Sequence, residues 1–206
     1  MGQRASAQVR IALVILGLAM GNSLVHAQTP PWKAEPLLGR VHLWAKIGRT
    51  DIDEAAARAW GVDREQYLGL EVYWSTVQDF YWGSEVGHLG TGKAVTRSGD
   101  TIRDFDFWWL ELNGKKAFEL NHGFTIATGL GIALFYVGGE EVGTLGGTTF
   151  SDPLADVGFG SQGFIDVTWR RGRLLLGLDA KYQQAFDVIN VEYSNLRYGG
   201  HLGVAF

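Results

Sequence analysis

The sequence predicts an all-β fold, an eight-stranded antiparallel up-and-down transmembrane β-barrel. Three observations point there. Segments of about ten residues alternate apolar with polar or small residues, as strands crossing a membrane do. The bulky aliphatic and aromatic side chains share one phase, while charges and glycines share the other. Long and short connections alternate strictly between the segments. A soluble barrel or sandwich of the lipocalin-like kind would bury the aliphatics, and glycines on the opposite face would not fill its core.

The elements follow in chain order. Arg4 and Arg10 are the charges of residues 1–27, and Ile11 to Met20 form an apolar run of about ten residues ahead of the small-residue site Val25-His26-Ala27. This is the pattern of a secretory signal peptide, too short to span a bilayer as a helix. Its removal shifts the formal charge from −4 to −6. Residues 28–39 read as a short, Pro-bearing N-terminal segment on the periplasmic side, and 40–206 as the barrel. No basic stripe supports nucleic-acid binding. With no cysteine, a disulfide scaffold, a thiolate metal site and a lipid-modified N-terminal Cys are excluded.

Arg40 to Gly48 turns Val41, Leu43, Ala45 and Ile47 outward and His42, Trp44 and Lys46 inward. Tyr67 to Ser75 turns Leu68, Leu70, Val72 and Trp74 outward, with Glu71 inward. Phe80 to Gly90 is a strand by aromatic content, with Glu85 inward on one phase. In Thr101 to Phe118, Leu110 and Leu112 oppose Glu111, Asn113 and Lys115, while Phe105 and Phe107 fall on the other phase; a bulge near Trp108-Trp109 would reconcile them.

The second half is cleaner. Phe124, Ile126, Leu130, Ile132, Leu134 and Tyr136 are backed by Thr125, Ala127, Gly129, Gly131 and Ala133. Val157, Phe159, Ile165, Val167 and Trp169 oppose Gly158, Gly160, Gln162, Asp166 and Thr168. Leu174, Leu176, Leu178, Ala180 and Tyr182 alternate with Leu175, Gly177, Asp179, Lys181 and Gln183. In the last strand Leu196, Tyr198, Gly200, Leu202, Val204 and Phe206 oppose Asn195, Arg197, Gly199, His201, Gly203 and Ala205. Small inward residues suit a narrow barrel.

Short turns are expected at Val77 to Asp79, Leu120 to Gly123 and Arg170 to Gly172, and long loops at Arg49 to Arg64, Thr91 to Asp100, Gly139 to Ala155 and Phe186 to Ser194. An even strand count puts both barrel ends on the short-turn, periplasmic side.

The closing run Arg197-Tyr198-Gly199-Gly200-His201-Leu202-Gly203-Val204-Ala205-Phe206 and the Gly-rich strand Thr128-Gly129-Leu130-Gly131-Ile132-Ala133 resemble the small outer-membrane β-barrel superfamily of the OmpA, OmpX and OmpW transmembrane-domain type, over roughly residues 38 to 206. The resemblance implies a bacterial outer-membrane location and surrounding lipid or lipopolysaccharide as partners. It also implies insertion by the barrel-assembly machinery, which would read Tyr198, Gly199, Leu202, Val204 and Phe206. No peptidoglycan-binding domain is expected after Phe206.

Fold leaves the activity open. Lipid A deacylases of this barrel size use a His-x-Ser pair on late strands; here that stretch is Ala180-Lys181-Tyr182-Gln183-Gln184, and His42, His88, His122 and His201 lack Ser two residues on. No enzymatic site, cofactor or metal is therefore expected, although a triad assembled across strands is set by geometry and not by spacing. Lys46, Glu71, Glu111, Lys115, Asp166, Asp179, Lys181, Arg197 and His201 all face inward, and their mixed signs suggest an ion-pair plug, with a narrow polar pore as the alternative.

Asp51, Asp53 and Glu54 before Ala55-Ala56-Ala57-Arg58-Ala59-Trp60 read as a helix N-terminus more than a calcium loop. The Gly138-Gly139-Glu140-Glu141 and Gly146-Gly147 stretch lacks the Lys-Ser/Thr ending of a phosphate loop. Trp74, Trp82, Trp108, Trp169, Tyr136, Tyr182 and Phe206 are candidates for aromatic girdles at the membrane interfaces. The expected role is structural, in envelope integrity or surface interaction through the exterior loops. A porin-like channel for small solutes comes second, and a lipid-modifying enzyme third.

Overall fold

The computed structural model describes residues 36–206 apart from 53–63, 78, 91–94, 98–99, 121, 146–147 and 187–193. The signal peptide, Asp53, Glu54 and the Ala55–Trp60 run lie outside the described residues.

The strands are β1 (Val41–Ile52), β2 (Arg64–Val77), β3 (Phe80–Gly90), β4 (Val95–Arg97), β5 (Asp100–Glu119), β6 (Phe124–Leu145), β7 (Thr148–Arg171), β8 (Leu174–Phe186) and β9 (Asn195–Ala205). Every pairing is antiparallel, and β3 pairs with β5 as well as β2, so eight strands close on themselves. The three-residue β4 stays outside the ring and pairs only with the start of β5. Closure removes the sheet edges that an open sheet would leave unpaired.

Alternation along each strand sorts the two faces. Leu68, Leu130, Ile132, Phe159 and Leu178 point away from the barrel and are each more than 60% exposed, whereas Trp44, Glu85, Glu111, Lys181 and Arg197 point inward at 2% or less. Turn chemistry holds this phase. Gly172, with φ of 61°, opens the two-residue hairpin between Arg171 and Leu174, where the mirror-image turn needs a positive φ. The turn is thus Gly172-Arg173, one residue later than the sequence suggested.

Three expectations are corrected. No bulge occurs at Trp108-Trp109: the β5–β6 register runs unbroken from Asp106 to Glu119, and the shift falls between Arg103 and Asp106, where Asp104 has φ of 50°. Phe105 and Phe107 keep phase because they too point inward, and are buried there. Gly139 to Ala155 is not a loop, since β6 and β7 stay paired as far as Leu145 and Thr148. Asp51 is not a helix cap but the partner of Arg64 in the β1–β2 ladder.

Pro36–Gly39, the end of the N-terminal segment, folds into the short-turn mouth. Leu38 is fully buried among Trp44, Tyr73, Tyr81, Ala117 and Leu175. Its amide donates to Tyr81 Oη at 3.0 Å, and the Leu37 amide to Asp79 Oδ1 at 2.9 Å. The Arg170 guanidinium donates to the Pro36 and Leu37 carbonyls at 3.1 and 2.9 Å. Four polar contacts fix an apolar stopper in place.

Candidate functional site

Inward side chains form three tiers along the barrel. Nearest the short turns, Leu38, Trp44, Tyr73, Tyr81, Ala117, Ala127, Leu175 and Ala205 make an apolar floor. His42 stands in it between the rings of Trp44, Tyr73 and Tyr81, with centroids 5.2–5.4 Å away, and its two ring nitrogens have no hydrogen-bond partner. At the opposite end Phe107 stacks on Phe135 at 5.4 Å and leans on Trp109, which meets Tyr67 edge-on at 5.7 Å. Between these aromatic tiers lie the charges.

Glu85 and Glu111 are the hubs. Glu85 accepts from Lys46 Nζ at 3.0 Å, Lys181 Nζ at 2.8 Å and the Trp109 indole at 3.1 Å, with Arg197 at 3.5 Å. Glu111 accepts from Lys181 and Arg197, from Gln183 at 3.0 Å and from Asn113 at 3.2 Å. Lys46 also reaches Asp179 at 3.1 Å and Glu71 at 3.7 Å. Lys115 pairs with Asp166 at 3.0 Å while lying 4.1 Å over the Tyr73 ring. His201 spans Asp179 and Thr168, each at 3.3 Å, and meets Trp44 edge-on at 4.2 Å.

Each of the nine inward residues expected from the sequence lies at this level, none more than 7% exposed. That set omits Glu85, whose phase alone did not mark it as a hub. It also omits Asn113, Gln162, Gln183 and Thr168, which sit on inward phases but carry no charge. The amides matter because they use up the carboxylate and amide lone pairs that ion pairing leaves. Gln183 donates to Gln162 at 2.7 Å, and Gln162 donates to Asn113. Unmet buried polar groups would each cost roughly 1–3 kcal/mol.

The rings fit because glycine faces them. Trp44 is the cross-strand partner of Gly203, Tyr73 of Gly83, Trp109 of Gly87, Phe164 of Gly129 and His201 of Gly177. A Cβ on Gly87 would stand 2.1 Å from a Trp109 ring carbon, and one on Gly203 would stand 2.4 Å from Trp44. Each of these five rings therefore occupies the space of a missing side chain on the neighbouring strand.

The remaining sequence candidates lie elsewhere. His88 is on the outer face, 2.9 Å from Asp106 and stacked on Trp108 at 4.2 Å. His122 sits in the β5–β6 turn with φ of 55°. Tyr198, Leu202, Val204 and Phe206 point outward on or just beyond β9, and Gly199 lies against β1, where a Cβ would meet the Ile47 carbonyl oxygen at 2.4 Å. Trp74 and Trp82 are cross-strand partners near the short turns, with Trp169 and Phe206 at the same end. Trp108 and Tyr136 are partners toward the other end, where Tyr182 also points outward. Among the described residues, no three His, Asp or Glu side chains are grouped to hold a metal ion.

No protein-family model matches the chain, and no curated protein is significantly similar to it in sequence. Solved structures are similar in fold. Neisserial surface protein A aligns with a TM-score of 0.62 at 12% identity, over 81% of this chain and 97% of its own. A major outer membrane protein from Thermus thermophilus aligns with a TM-score of 0.52 at 10% identity, over 79% of this chain and 99% of its own. At such identities the likeness establishes the fold, a small eight-stranded outer-membrane-type barrel.

Proposed function

We propose that the protein is a sealed barrel of the bacterial outer membrane, with a structural or surface-interaction role carried by its long-hairpin end. The outer face supports residence in lipid. Leu130, Leu178, Leu68 and Ile132 are 62–75% exposed on the outer face, among further outward aliphatic and aromatic side chains. A water-soluble monomer rarely exposes so continuous an apolar surface. Phe124 to Tyr136 is twelve steps on β6, and Leu174 to Tyr182 is eight on β8. At ~3.3 Å per step and a tilt of ~40°, these rise about 30 and 20 Å, bracketing the ~25 Å apolar band of such barrels. The names of the two similar structures, a surface protein and an outer membrane protein, agree with this location. Short turns then face the periplasm and long hairpins the exterior. The barrel-assembly machinery would engage β9.

One observation carries the sealed reading. The charged tier is paired throughout and lies between a floor stoppered by Leu38 and a ceiling of stacked rings. An eight-stranded interior has room for side chains and little else. Reconstituted in planar bilayers, the protein should give no steady single-channel openings. Reproducible, voltage-independent steps would overturn the seal and favour a narrow channel.

The Asp179–His201–Thr168 row has the connectivity of a hydrolytic triad. Thr168 is fully buried in the charged tier, so a substrate carbonyl has no approach to its hydroxyl. The row reads as a brace. Thr168→Ala is expected to leave ester and lipid A hydrolysis at the background level of the unaltered chain.

A further inference from the structure

We infer that the outer face carries a specific site for one anionic phospholipid of the leaflet at the short-turn end. The inference rests on the membrane reading. Its basis is a groove of about 720 Å³ crossing the outer face, within the range of ligand pockets. Two rows of cross-strand partners form its walls. One wall runs Ala45, Leu202, Leu176, Trp169, Phe124, and the other Ile47, Gly200, Leu178, Val167. Gly200 leaves the second wall without a side chain, and a Cβ there would make only ordinary contacts, at 3.8 and 3.9 Å.

The groove has a direction. Phe124 is the first residue of β6 and Trp169 the third from the end of β7, both beside the short turns, whereas Ala45 is the fifth of β1. A row across tilted strands climbs the barrel. The groove therefore leaves the short-turn rim at Phe124 and Trp169 and rises to mid-height at Ala45, the course of an acyl chain whose headgroup lies at that rim.

At the rim stand exposed arginines. Arg171 and Arg173 flank Gly172 in the turn that joins the Trp169 and Leu176 strands, and Arg40 lies two strands away beside Phe206. Guanidinium groups bind phosphate oxygens through paired donors. At the opposite end Asp104, Asp106, Glu140, Glu141 and Asp152, exposed or half-exposed, outnumber the exposed Arg49 and Arg103, a net negative field that disfavours phosphate there. The charge pattern thus selects a phospholipid phosphate at the short-turn rim over the lipopolysaccharide phosphates of the other leaflet.

Native mass spectrometry of the full chain, refolded in detergent with equal phosphatidylglycerol, phosphatidylcholine and lipid A, tests the site. One phosphatidylglycerol should be retained in preference to phosphatidylcholine. Arg171→Ala with Arg173→Ala should cut that preference roughly 30-fold, from about fivefold per arginine at a membrane surface. Gly200→Leu should fill the groove and abolish retention of both phospholipids. Equal retention of the two phospholipids, a preference for lipid A, or unchanged retention in Gly200→Leu would each overturn the site. These results leave the membrane reading standing. A chain that stays soluble without detergent would overturn the membrane reading, and the site with it.

Discussion

Removing Lys181 should cost more than removing the carboxylate it neutralises. Its ammonium donates to Glu85 at 2.8 Å and to Glu111, and its side chain is 1% exposed. At an effective dielectric of about 20, a unit pair at that separation attracts by about 6 kcal/mol. Much of this is offset by the desolvation of both groups, so the observable is the cost of breaking the pair, about 3–5 kcal/mol. The tier holds Glu71, Glu85, Glu111, Asp166 and Asp179 against Lys46, Lys115, Lys181 and Arg197. Lys181→Met worsens that excess of carboxylates, whereas Glu85→Gln relieves it and leaves Lys46 with Asp179 and Arg197 with Glu111. The expected losses are about 3–5 kcal/mol for Lys181→Met and about 1–2 kcal/mol for Glu85→Gln. The double variant should recover about 1–3 kcal/mol relative to the sum. Urea unfolding of the refolded barrel in lipid vesicles, followed by tryptophan fluorescence, measures all three. A Lys181→Met barrel within about 0.5 kcal/mol of the parent, a margin typical of surface sites, would show that the buried pairs do not depend on Lys181. So would additive losses.

Further outcomes follow from the packing. Gly87→Ala drives a methyl into the Trp109 ring and should lower stability by about 1–3 kcal/mol in the same assay, while Gly163→Ala, 3.6 Å from Leu130 on the outer face, should change it by less than about 0.5 kcal/mol. Leu38→Ala empties the stopper and should cost about 2–4 kcal/mol; conductance should stay absent because the charged tier still closes the bore. Leu178→Arg, 69% exposed in the middle of the outer face, should cost about 2–4 kcal/mol in a bilayer. A water-exposed site would barely register that change.

The phase of the strands was legible because side chains alternate with a period of two, and a slip of one residue would invert every face. β8 and β9 show it from Leu174 against Asp179 to Leu202 against His201, with Leu175 of the apolar floor as the exception. The rule breaks on β5, where polarity does not mark the interior. Phe105, Phe107 and Trp109 are apolar and inward because the bore ends in ring tiers, and those rings are accommodated by glycines on another strand. Gly87 and Trp109 are far apart in sequence, so only the register brings them together. The same holds for the hubs. Glu85 was visible as an inward acid, but nothing local distinguishes it from Glu71; its three cations come from β1, β8 and β9. The Leu38 stopper was hidden by a Pro-bearing composition that reads as a linker. The paired extension of β6 and β7 was hidden by glycines and acids that read as a loop.

The absence of cysteine makes one scan unambiguous. Single cysteines placed one at a time from Leu174 to Gln183 on β8, carrying nitroxide labels in lipid vesicles, report contact with oxygen dissolved in lipid and with a water-soluble nickel relaxant. Strong oxygen contact is expected at 174, 176, 178 and 182, with neither reagent reaching 175, 177, 179, 181 and 183 in variants that remain folded. Nickel contact at the even positions, or at the odd ones through an open bore, would contradict a sealed barrel in lipid.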